Sequence, residues 1–254
     1  MTRRNTSQWI KGKKIGYKSF KGVYMKVSYI KAFEDNYIWT LEKDKDIILV
    51  DPGEAKPALE YLYGKNLVAI LLTHKHLDHV GGVEELKKKY PKARVFGPIE
   101  TENLNDKTLK EGDTFSLLYY DFKVIKTAGH TYEHISYLVD GRLFCGDALF
   151  SSGCGRVFTG RFDLSFKTID KIRSLPEETL VYPAHEYTIK HLTSSKNIIK
   201  EDFMDEEIKK SKENLALGKP TIPTSIKREW KINPLFKAKD PYEFKNFTKL
   251  KNMD

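Results

Sequence analysis

The stretch LVAILLTHKHLDHVGG, residues 67–82, decides the fold of this chain. It runs from a continuous apolar segment into three histidines and an aspartate within six positions, and then into two glycines. The apolar segment predicts a strand buried on both faces, as in parallel sheets. Because open α/β sheets form their sites beyond the carboxyl ends of strands, we expect the polar cluster to lie at such an edge.

Short β-branched and aromatic runs, separated by turn residues, surround this stretch and predict a mixed α/β domain. Strands are expected at residues 26–30, 36–41, 46–50, 93–97, 114–120, 122–127, 135–139, 142–146 and 179–184. Helices are expected over residues 55–65, 82–90 and 164–175. From about residue 188 the strand signals stop, and two helices follow, the second ending at Gly218. The predicted division is therefore a catalytic domain, residues 25–187, and a mostly helical domain, residues 188–254.

The bulk composition excludes several classes of protein. A chain of 254 residues is enough for one large domain, or one domain and a small second one. No apolar run approaches the roughly 18 residues of a membrane span, so no membrane contact is expected. The two cysteines, Cys145 and Cys154, are too few for a disulfide scaffold, which favours a reduced, cytoplasmic setting.

The net charge of +9 is concentrated at the N-terminus. Residues 1–24 contain seven basic residues and no acidic one, whereas the remaining chain carries 37 basic and 35 acidic residues. We expect residues 1–24 to be a poorly ordered basic extension. Organelle targeting and nucleic-acid contact are the alternatives for this segment. The nearly neutral body argues against nucleic acid as the partner of the protein.

The polar cluster has the composition of a metal site. His74 and His76, separated by one residue, project from the same side of an extended segment. Asp78 and His79 follow across a turn, where they can serve a second ion. Catalytic zinc usually has three protein ligands and an open position, so four ligands cannot complete two ions. Distant residues must therefore contribute.

Three further residues of ligand type, His130, Asp147 and His185, each follow a predicted strand. We expect them to converge on the same sheet edge, where the two oxygens of Asp147 can bridge two ions. The predicted sets are His74, His76 and His130 for one ion, and Asp78, His79 and His185 for the other, with Asp147 between them. The two remaining histidines, His134 and His191, are expected to be structural.

The motif H-x-H-x-D-H after a buried strand resembles the metallo-β-lactamase superfamily. The stretches DNYIW, GCGR, HEYT, KPTIPTSI and NPLF, within residues 25–236, resemble the glyoxalase II family, the hydroxyacylglutathione hydrolases. This resemblance implies an αββα sandwich followed by a mostly helical C-terminal domain.

The resemblance also implies an activity. The family hydrolyses S-D-lactoylglutathione to D-lactate and glutathione, the second step of methylglyoxal detoxification, by a hydroxide that bridges two divalent ions. Zn²⁺ is expected, with iron or manganese as alternatives, since all accept histidine and carboxylate ligands. Asp78 and Asp147 are the expected catalytic carboxylates, and a monomer acting on a small molecule is expected. Asp51 is expected to orient ligands, or alternatively to cap a turn.

Substrate-binding residues are carried over from the family by position. Arg156 in GCGR and Tyr187 in HEYT are expected in the glutathione site, where cations bind the two carboxylates of glutathione. Phe158 stands where many family members have tyrosine, so one hydroxyl donor is lost. Lys249 and Lys251 are candidates for the basic residues that the family has near its C-terminus, although their spacing does not match the family pattern.

Three other functions share parts of this pattern. Persulfide dioxygenases, which use a single iron, resemble the N-terminal domain but lack the helical C-terminal segment. Here 69 residues follow His185, with the HEYT and NP signatures, which argues against this function. A tRNA-maturing nuclease would depend on the basic N-terminus. A non-enzymatic metal module would close its coordination shell. The sequence favours the hydrolase.

Overall fold

The computed structural model describes residues 7–10, 13–16 and 25–251, with side chains for residues 25–250. Most of the predicted N-terminal extension, residues 1–24, therefore lies outside the described residues. Its described part is an antiparallel pair of short strands, β1 (Ser7–Ile10) and β2 (Lys13–Gly16).

Two mixed six-stranded sheets form the body of the molecule. The first sheet consists, in spatial order, of β3 (Lys26–Ala32), β4 (Asn36–Lys43), β5 (Asp46–Val50), β6 (Asn66–Leu71), β7 (Arg94–Gly97) and β8 (Lys107–Thr108). Strands β3 to β5 are antiparallel neighbours, and β5 to β8 are parallel. The second consists of β9 (Thr114–Leu117), β10 (Tyr120–Lys126), β11 (Ile135–Val139), β12 (Arg142–Gly146), β13 (Leu180–Pro183) and β14 (Thr224–Ser225). Only the pair β12 and β13 is parallel in this sheet.

Helices cover the outer faces of both sheets and form the C-terminal region. They are α1 (Ala55–Tyr61), α2 (Leu77–Val80), α3 (Val83–Lys89), α4 (Phe162–Arg173), α5 (Thr188–Ser195), α6 (Phe203–Ala216), α7 (Ile226–Ile232) and α8 (Pro241–Lys251). Short 3₁₀ turns occur at Ile99–Thr101 and Pro234–Lys237. Among the described helices, none is long and apolar enough to cross a membrane.

The main core lies between the two sheets. Trp39 and Leu71 of the first sheet share one buried cluster with Phe122, Tyr137 and Phe144 of the second. Fully burying a side chain of this size contributes about 1.5–3 kcal/mol, so this layer is a major source of stability. Separate clusters join α1 and α3 to the first sheet, and α4, α7 and α8 to the second. The predicted αββα sandwich with C-terminal helices is confirmed.

Two local predictions were wrong. Residues 114–120 form not one strand but a hairpin, with Leu118 and Tyr119 at its turn with φ of 49° and 70°. Turns of this type are normally marked by Asn-Gly or Asp-Gly, and neither is present here. The region after residue 188 also contributes β14, which is too short to leave a sequence signal. The predicted helix end at Gly218 is confirmed, because α6 ends at Ala216 and Gly218 has a φ of 70°.

Candidate metal centre

The loops that follow four strands bring seven donor residues together at one edge of the sandwich. The loops follow β6, β10, β12 and β13, whose carboxyl ends lie on the same side of the two facing sheets. We call the set the donor cluster: His74, His76, Asp78, His79, His130, Asp147 and His185. Asp78 and His79 were predicted to lie across a turn. They lie instead in the short helix α2, which directs both side chains toward the other donors.

Three histidines form the first donor group. His76 Nδ1 lies 3.0 Å from His74 Nε2 and 3.0 Å from His130 Nε2. Asp147 Oδ2 lies 3.4 Å from His130 Nε2. Ligand atoms around one tetrahedral zinc, each at roughly 2.0–2.2 Å from it, are about 3.3–3.6 Å apart. The spacing in the first donor group is close to this value.

The second donor group contains a carboxylate and two histidines. Asp78 Oδ2 lies 3.4 Å from His79 Nε2 and 3.4 Å from His185 Nε2. Asp147 Oδ1 is also 3.4 Å from each of these two nitrogens. The two oxygens of Asp147 therefore face different groups, as a bridging carboxylate must.

In the first group, the hydrogen bonds of the Nδ1 atoms of His74 and His130, which point away from the cluster, determine whether the Nε2 atoms carry a hydrogen. His130 Nδ1 lies 2.7 Å from the carbonyl oxygen of Arg156, which only accepts, so Nδ1 carries the hydrogen. The Thr73 hydroxyl donates to Asp51 and is left to accept from His74 Nδ1 at 3.0 Å. Each neutral ring has one N–H, so both Nε2 atoms present lone pairs to the centre of the group.

Carboxylates play the same part in the second group. His79 Nδ1 donates to Asp51 at 3.0 Å, and His185 Nδ1 donates to Asp35 at 2.9 Å. Carboxylate partners of this kind hold the ring orientation of metal-binding histidines and raise their basicity. The contact of Asp51 with His79 is of the kind expected if Asp51 orients ligands, which is one of the two roles that the sequence leaves open. The role of Asp35 was missed, because it lies 150 residues from His185 in the chain.

The donor cluster fits a pair of cations. His79 Nε2 and Asp147 Oδ1 are buried without a hydrogen-bond partner among the described residues. Buried polar atoms are nearly always paired, so two unpaired ligand atoms that face each other at 3.4 Å fit the binding of a cation between them. Asp51 with His74 and His79 is also close enough to hold a metal. Its carboxylate is already occupied by hydrogen bonds from Thr73 and His79, which favours the other two groups.

Without bound ions, the side chains of the two donor groups differ in the direction in which their pKa values are shifted. Burial, reinforced by His79, lowers the pKa of His74 well below its usual range. Burial also opposes protonation of His185, but Asp147 and Asp78 outweigh it and raise the pKa of His185 to about 10. The same balance, with His185 and His79 as partners, holds the pKa of Asp78 far below its usual range. The second group thus attracts positive charge strongly.

Asn36 is a further residue that sequence reasoning missed. Its side-chain amide donates to Asp78 Oδ2 and to the Asp78 carbonyl oxygen, both at 3.2 Å. Asn36 also forms an isolated β-bridge with His185. The DNYIW stretch, which begins with Asp35 and Asn36, therefore holds both Asp78 and His185 of the second donor group. The only sequence signal was the family resemblance of that stretch.

Arg156 and Phe158 lie on the loop that covers the first donor group. The Arg156 guanidinium carbon is 5.2 Å from the centre of the Phe158 ring. That ring is 60% exposed and meets His76 and His130 edge to face, at 5.3 and 5.2 Å between ring centres. Phe158 was predicted to line a pocket with Arg156 and Tyr187. It lies beside Arg156, but it covers the histidines and is not part of the wall of the cavity described next.

A cavity of about 510 Å³ adjoins the donor cluster. Its charged lining residues are Arg156, Lys190 and Lys249, and no aspartate or glutamate occurs among the described residues that line it. Tyr187 also lines it and stacks on His185 with 4.8 Å between ring centres, so one ring separates the cavity from the second donor group. We call it the cationic cavity.

The structure also places one residue that the sequence did not single out, Lys190, and three that it did. Lys190 of α5 was missed from the sequence, where it reads as a surface lysine. Lys251 is the last residue of α8, and its side chain lies outside the described part of the chain. His191 lines the cationic cavity and stacks on Phe150. His134 is fully buried beside the donor cluster.

Comparison with known proteins agrees with this geometry. The family model described as the metallo-beta-lactamase superfamily matches residues 33–185. The hydroxyacylglutathione hydrolase of Actinobacillus pleuropneumoniae serotype 5b (strain L20) is 42% identical over 224 residues, which cover 87% of this chain and 95% of that protein. The enzyme of the same name from Vibrio cholerae serotype O1 is 42% identical over 226 residues, covering 85% of this chain and 88% of the relative.

A solved structure gives the same fold. The crystal structure of ETHE1 from Myxococcus xanthus matches with a TM-score of 0.69 and 24% identity, over 91% of this chain and 92% of that one. At this identity the likeness concerns the fold alone. The family match and the two curated relatives carry the assignment further, and this chain belongs to the metallo-beta-lactamase superfamily and, within it, to the hydroxyacylglutathione hydrolase family.

Proposed function

We propose that this chain hydrolyses the thioester S-D-lactoylglutathione to D-lactate and glutathione. Relatives that share 42% identity with most of the chain are named hydroxyacylglutathione hydrolases. The observation that carries the proposal is the contact between the donor cluster and the cationic cavity, which share Tyr187 and the Arg156 loop. This arrangement supports a hydrolytic centre next to a binding site for an anionic leaving group.

The cationic cavity suits the glutathionyl part of the substrate. Its volume of about 510 Å³ is in the range of small-molecule sites. Glutathione carries two carboxylates, and the cavity offers Arg156, Lys190 and Lys249 as partners for them. The described lining contains no acidic side chain that would repel them. We infer that these three cations bind the carboxylates, with Arg156 and Lys249 in the roles that the family resemblance implies.

We infer that each donor group would hold one divalent ion, and that Asp147, which faces both groups, would serve as a ligand in each. Zn²⁺ is the ion that we propose, although iron and manganese bind the same ligand types. When bound, such a pair makes a water molecule acidic enough to be hydroxide at neutral pH and polarises the thioester carbonyl. Asp78 and Asp147 are the two carboxylates that we expect to bind these ions and to be required for hydrolysis.

The chain's own residues supply orientation. Asp51 and Asp35 hold the rings of His79 and His185, so these donors need no rearrangement during the reaction. Cations in the cavity fix the glutathionyl carboxylates, which directs the thioester toward the donor cluster. The departing thiolate has a solution pKa of roughly 8.5, so it leaves without a protonated side chain to assist it.

The test is a thiol-release assay on S-D-lactoylglutathione with the full-length protein. The matched substrate is the lactoyl thioester of N-acetylcysteamine, which has the same reacting bond and no carboxylate. We expect release from the glutathione thioester and a much lower kcat/KM for the neutral one. Oxygen uptake with glutathione persulfide and cleavage of tRNA precursors are run beside it. Turnover in either of these, with none of the thioester, would contradict the proposal.

We further propose a cytoplasmic monomer. Neither Cys145, which is buried, nor Cys154, which is half-buried, is part of a disulfide, which fits a reducing compartment. The donor cluster and the cationic cavity are built from one chain, so the proposed chemistry needs no second subunit. Sedimentation equilibrium of the purified protein measures the oligomeric state, and a stable dimer would contradict this part of the proposal.

A further inference from the structure

His134 is buried directly behind the donor cluster but belongs to neither donor group. It immediately precedes β11 and has no exposed surface. Its ring stacks on His74, with 4.9 Å between ring centres and 26° between planes. The backbone N–H of Asp147 donates to its Nε2 at 3.3 Å. One neutral ring therefore touches a donor of the first group and the backbone of the carboxylate shared by both groups.

The hydrogen-bond directions around His134 are fixed by this contact. Because Nε2 accepts from the Asp147 N–H, the ring hydrogen lies on Nδ1. Nδ1 donates to Thr127 Oγ1 at 2.8 Å, and the Thr127 hydroxyl is then free to donate to Ser136 Oγ at 2.8 Å. A buried chain of donors thus runs from Asp147 to Ser136 in one direction. The other tautomer would place two N–H groups face to face.

The backbone before Asp147 has little room to move by itself. Gly146 has a φ of 47°, and a Cβ at this position would lie 2.3 Å from Thr73 Oγ1 and 3.0 Å from His134 Nε2. The chain therefore passes between Thr73 and His134 at the point where it delivers the shared carboxylate. The register of β12 against β13 also shifts here, between Phe144 and Gly146, so the sheet ladder does not fix the Asp147 N–H.

We propose that His134 is a positioning residue, whose Nε2 holds the backbone of Asp147 so that its two oxygens face the two donor groups. This inference rests on the proposed metal-binding role of the donor cluster. A residue that merely fills space would act through its volume. A positioning residue acts through a hydrogen-bond acceptor at one place. The two roles therefore predict different rankings of variants by their affinity for metal.

The experiment compares His134→Gln with His134→Asn. Gln places its Oε1 near the position of Nε2 and retains an acceptor for the Asp147 N–H. Asn can retain the contact with Thr127 but is too short to reach Asp147. Zn²⁺ affinity is measured on metal-free protein by competition with a chromogenic chelator, so no turnover is needed. We expect Gln to stay within about threefold of the wild-type affinity and Asn to lose about 10–100-fold, the usual effect of removing a group that supports a ligand.

A second pair of variants covers the case in which changes at His134 prevent folding. Thr127→Val removes the hydroxyl at nearly constant volume, whereas Thr127→Ser keeps it, and Thr127 is in neither donor group. We expect Val to weaken Zn²⁺ binding by roughly 10-fold and Ser to leave it nearly unchanged. The tautomer is read directly from ¹H–¹⁵N NMR of the metal-free wild-type imidazoles, where Nε2 of His134 should lack a hydrogen.

Equal loss of affinity in both members of a pair, no loss in either, or the opposite tautomer would overturn the positioning role. These outcomes are separate from the fate of the proposed activity. A chain that binds two ions with the expected order of variants, yet fails to cleave S-D-lactoylglutathione, would refute the proposed substrate and leave the role of His134 standing.

Discussion

The donor cluster and the cationic cavity share a wall, yet their charged groups are held in different ways. In the cluster, His79 and His185 are buried, and each is tied to a carboxylate behind it. In the cavity, Lys190 and Lys249 are exposed, and the described lining offers them no acidic partner. The cluster is therefore preorganised, whereas the two cavity lysines are solvent-exposed, and Lys190 makes a weaker contact, with its Nζ 5.9 Å from the centre of the Tyr187 ring.

This difference predicts how each region contributes to catalysis. A preorganised group stabilises the transition state without reorganisation, so its loss lowers kcat. An exposed cation binds the glutathionyl carboxylates equally in the ground state and the transition state, so its loss raises KM and leaves kcat nearly unchanged. The comparison fails if changes in the two regions affect the same kinetic constant.

The largest effect is expected for Asp147→Ala. Asp147 is the residue common to both groups, and without its shared charge two neighbouring dications would repel each other strongly. We expect the variant to lose most of its bound metal and essentially all hydrolysis, as measured by elemental analysis and thiol release. Asp202→Ala, an exposed aspartate at the start of α6, is the matched control.

Circular dichroism is the folding control for Asp147→Ala, because the core between the sheets does not include this side chain. Two ions per chain in a folded Asp147→Ala protein would show that the carboxylate bridges nothing.

A smaller loss is expected for Asp78→Ala. Its carboxylate faces only His79 and His185, so the first donor group keeps all three histidines. We expect about one ion per chain and a fall in kcat larger than the roughly 10–100-fold typical of lost supporting groups. Retention of both ions, or loss of both, would remove the distinction between the two groups. Elemental analysis of protein purified without added metal makes the measurement.

The two regions also differ in how far the sequence predicts them. Four cluster residues lie in one six-residue stretch after a buried strand, and the others follow strands, so chemistry and periodicity are sufficient to propose them. The cavity brings Lys190 of α5 beside Lys249 of α8. The hydrophobic periodicity of a helix does not tell which other helix packs beside it, so the sequence does not predict this pair. Asp35 was missed for the same reason, since only tertiary pairing with His185 distinguishes it from a turn residue.

Lys190→Met tests the cavity side of the comparison. We expect KM for S-D-lactoylglutathione to rise roughly 3- to 10-fold, the effect of a charge-assisted hydrogen bond that is partly screened by solvent. The expected kcat is close to that of the wild type, and both ions should remain. Lys209→Met, an exposed lysine of α6 outside the cavity lining, is the control. A fall in kcat with unchanged KM would contradict the proposed role of Lys190 in substrate binding.

The smallest effect is expected where the two regions meet, at Phe158. Its exposed ring contacts both the Arg156 guanidinium and the cluster histidines His76 and His130. Phe158→Tyr adds a hydroxyl donor at this boundary, and one hydrogen bond of about 0.5–1 kcal/mol lowers KM by roughly 2- to 5-fold. If that donor binds the glutathionyl part, competitive inhibition by glutathione should tighten by the same factor while kcat stays similar. An unchanged or higher KM would mean that the ring acts only as a cover for the histidines, on the cluster side of the boundary.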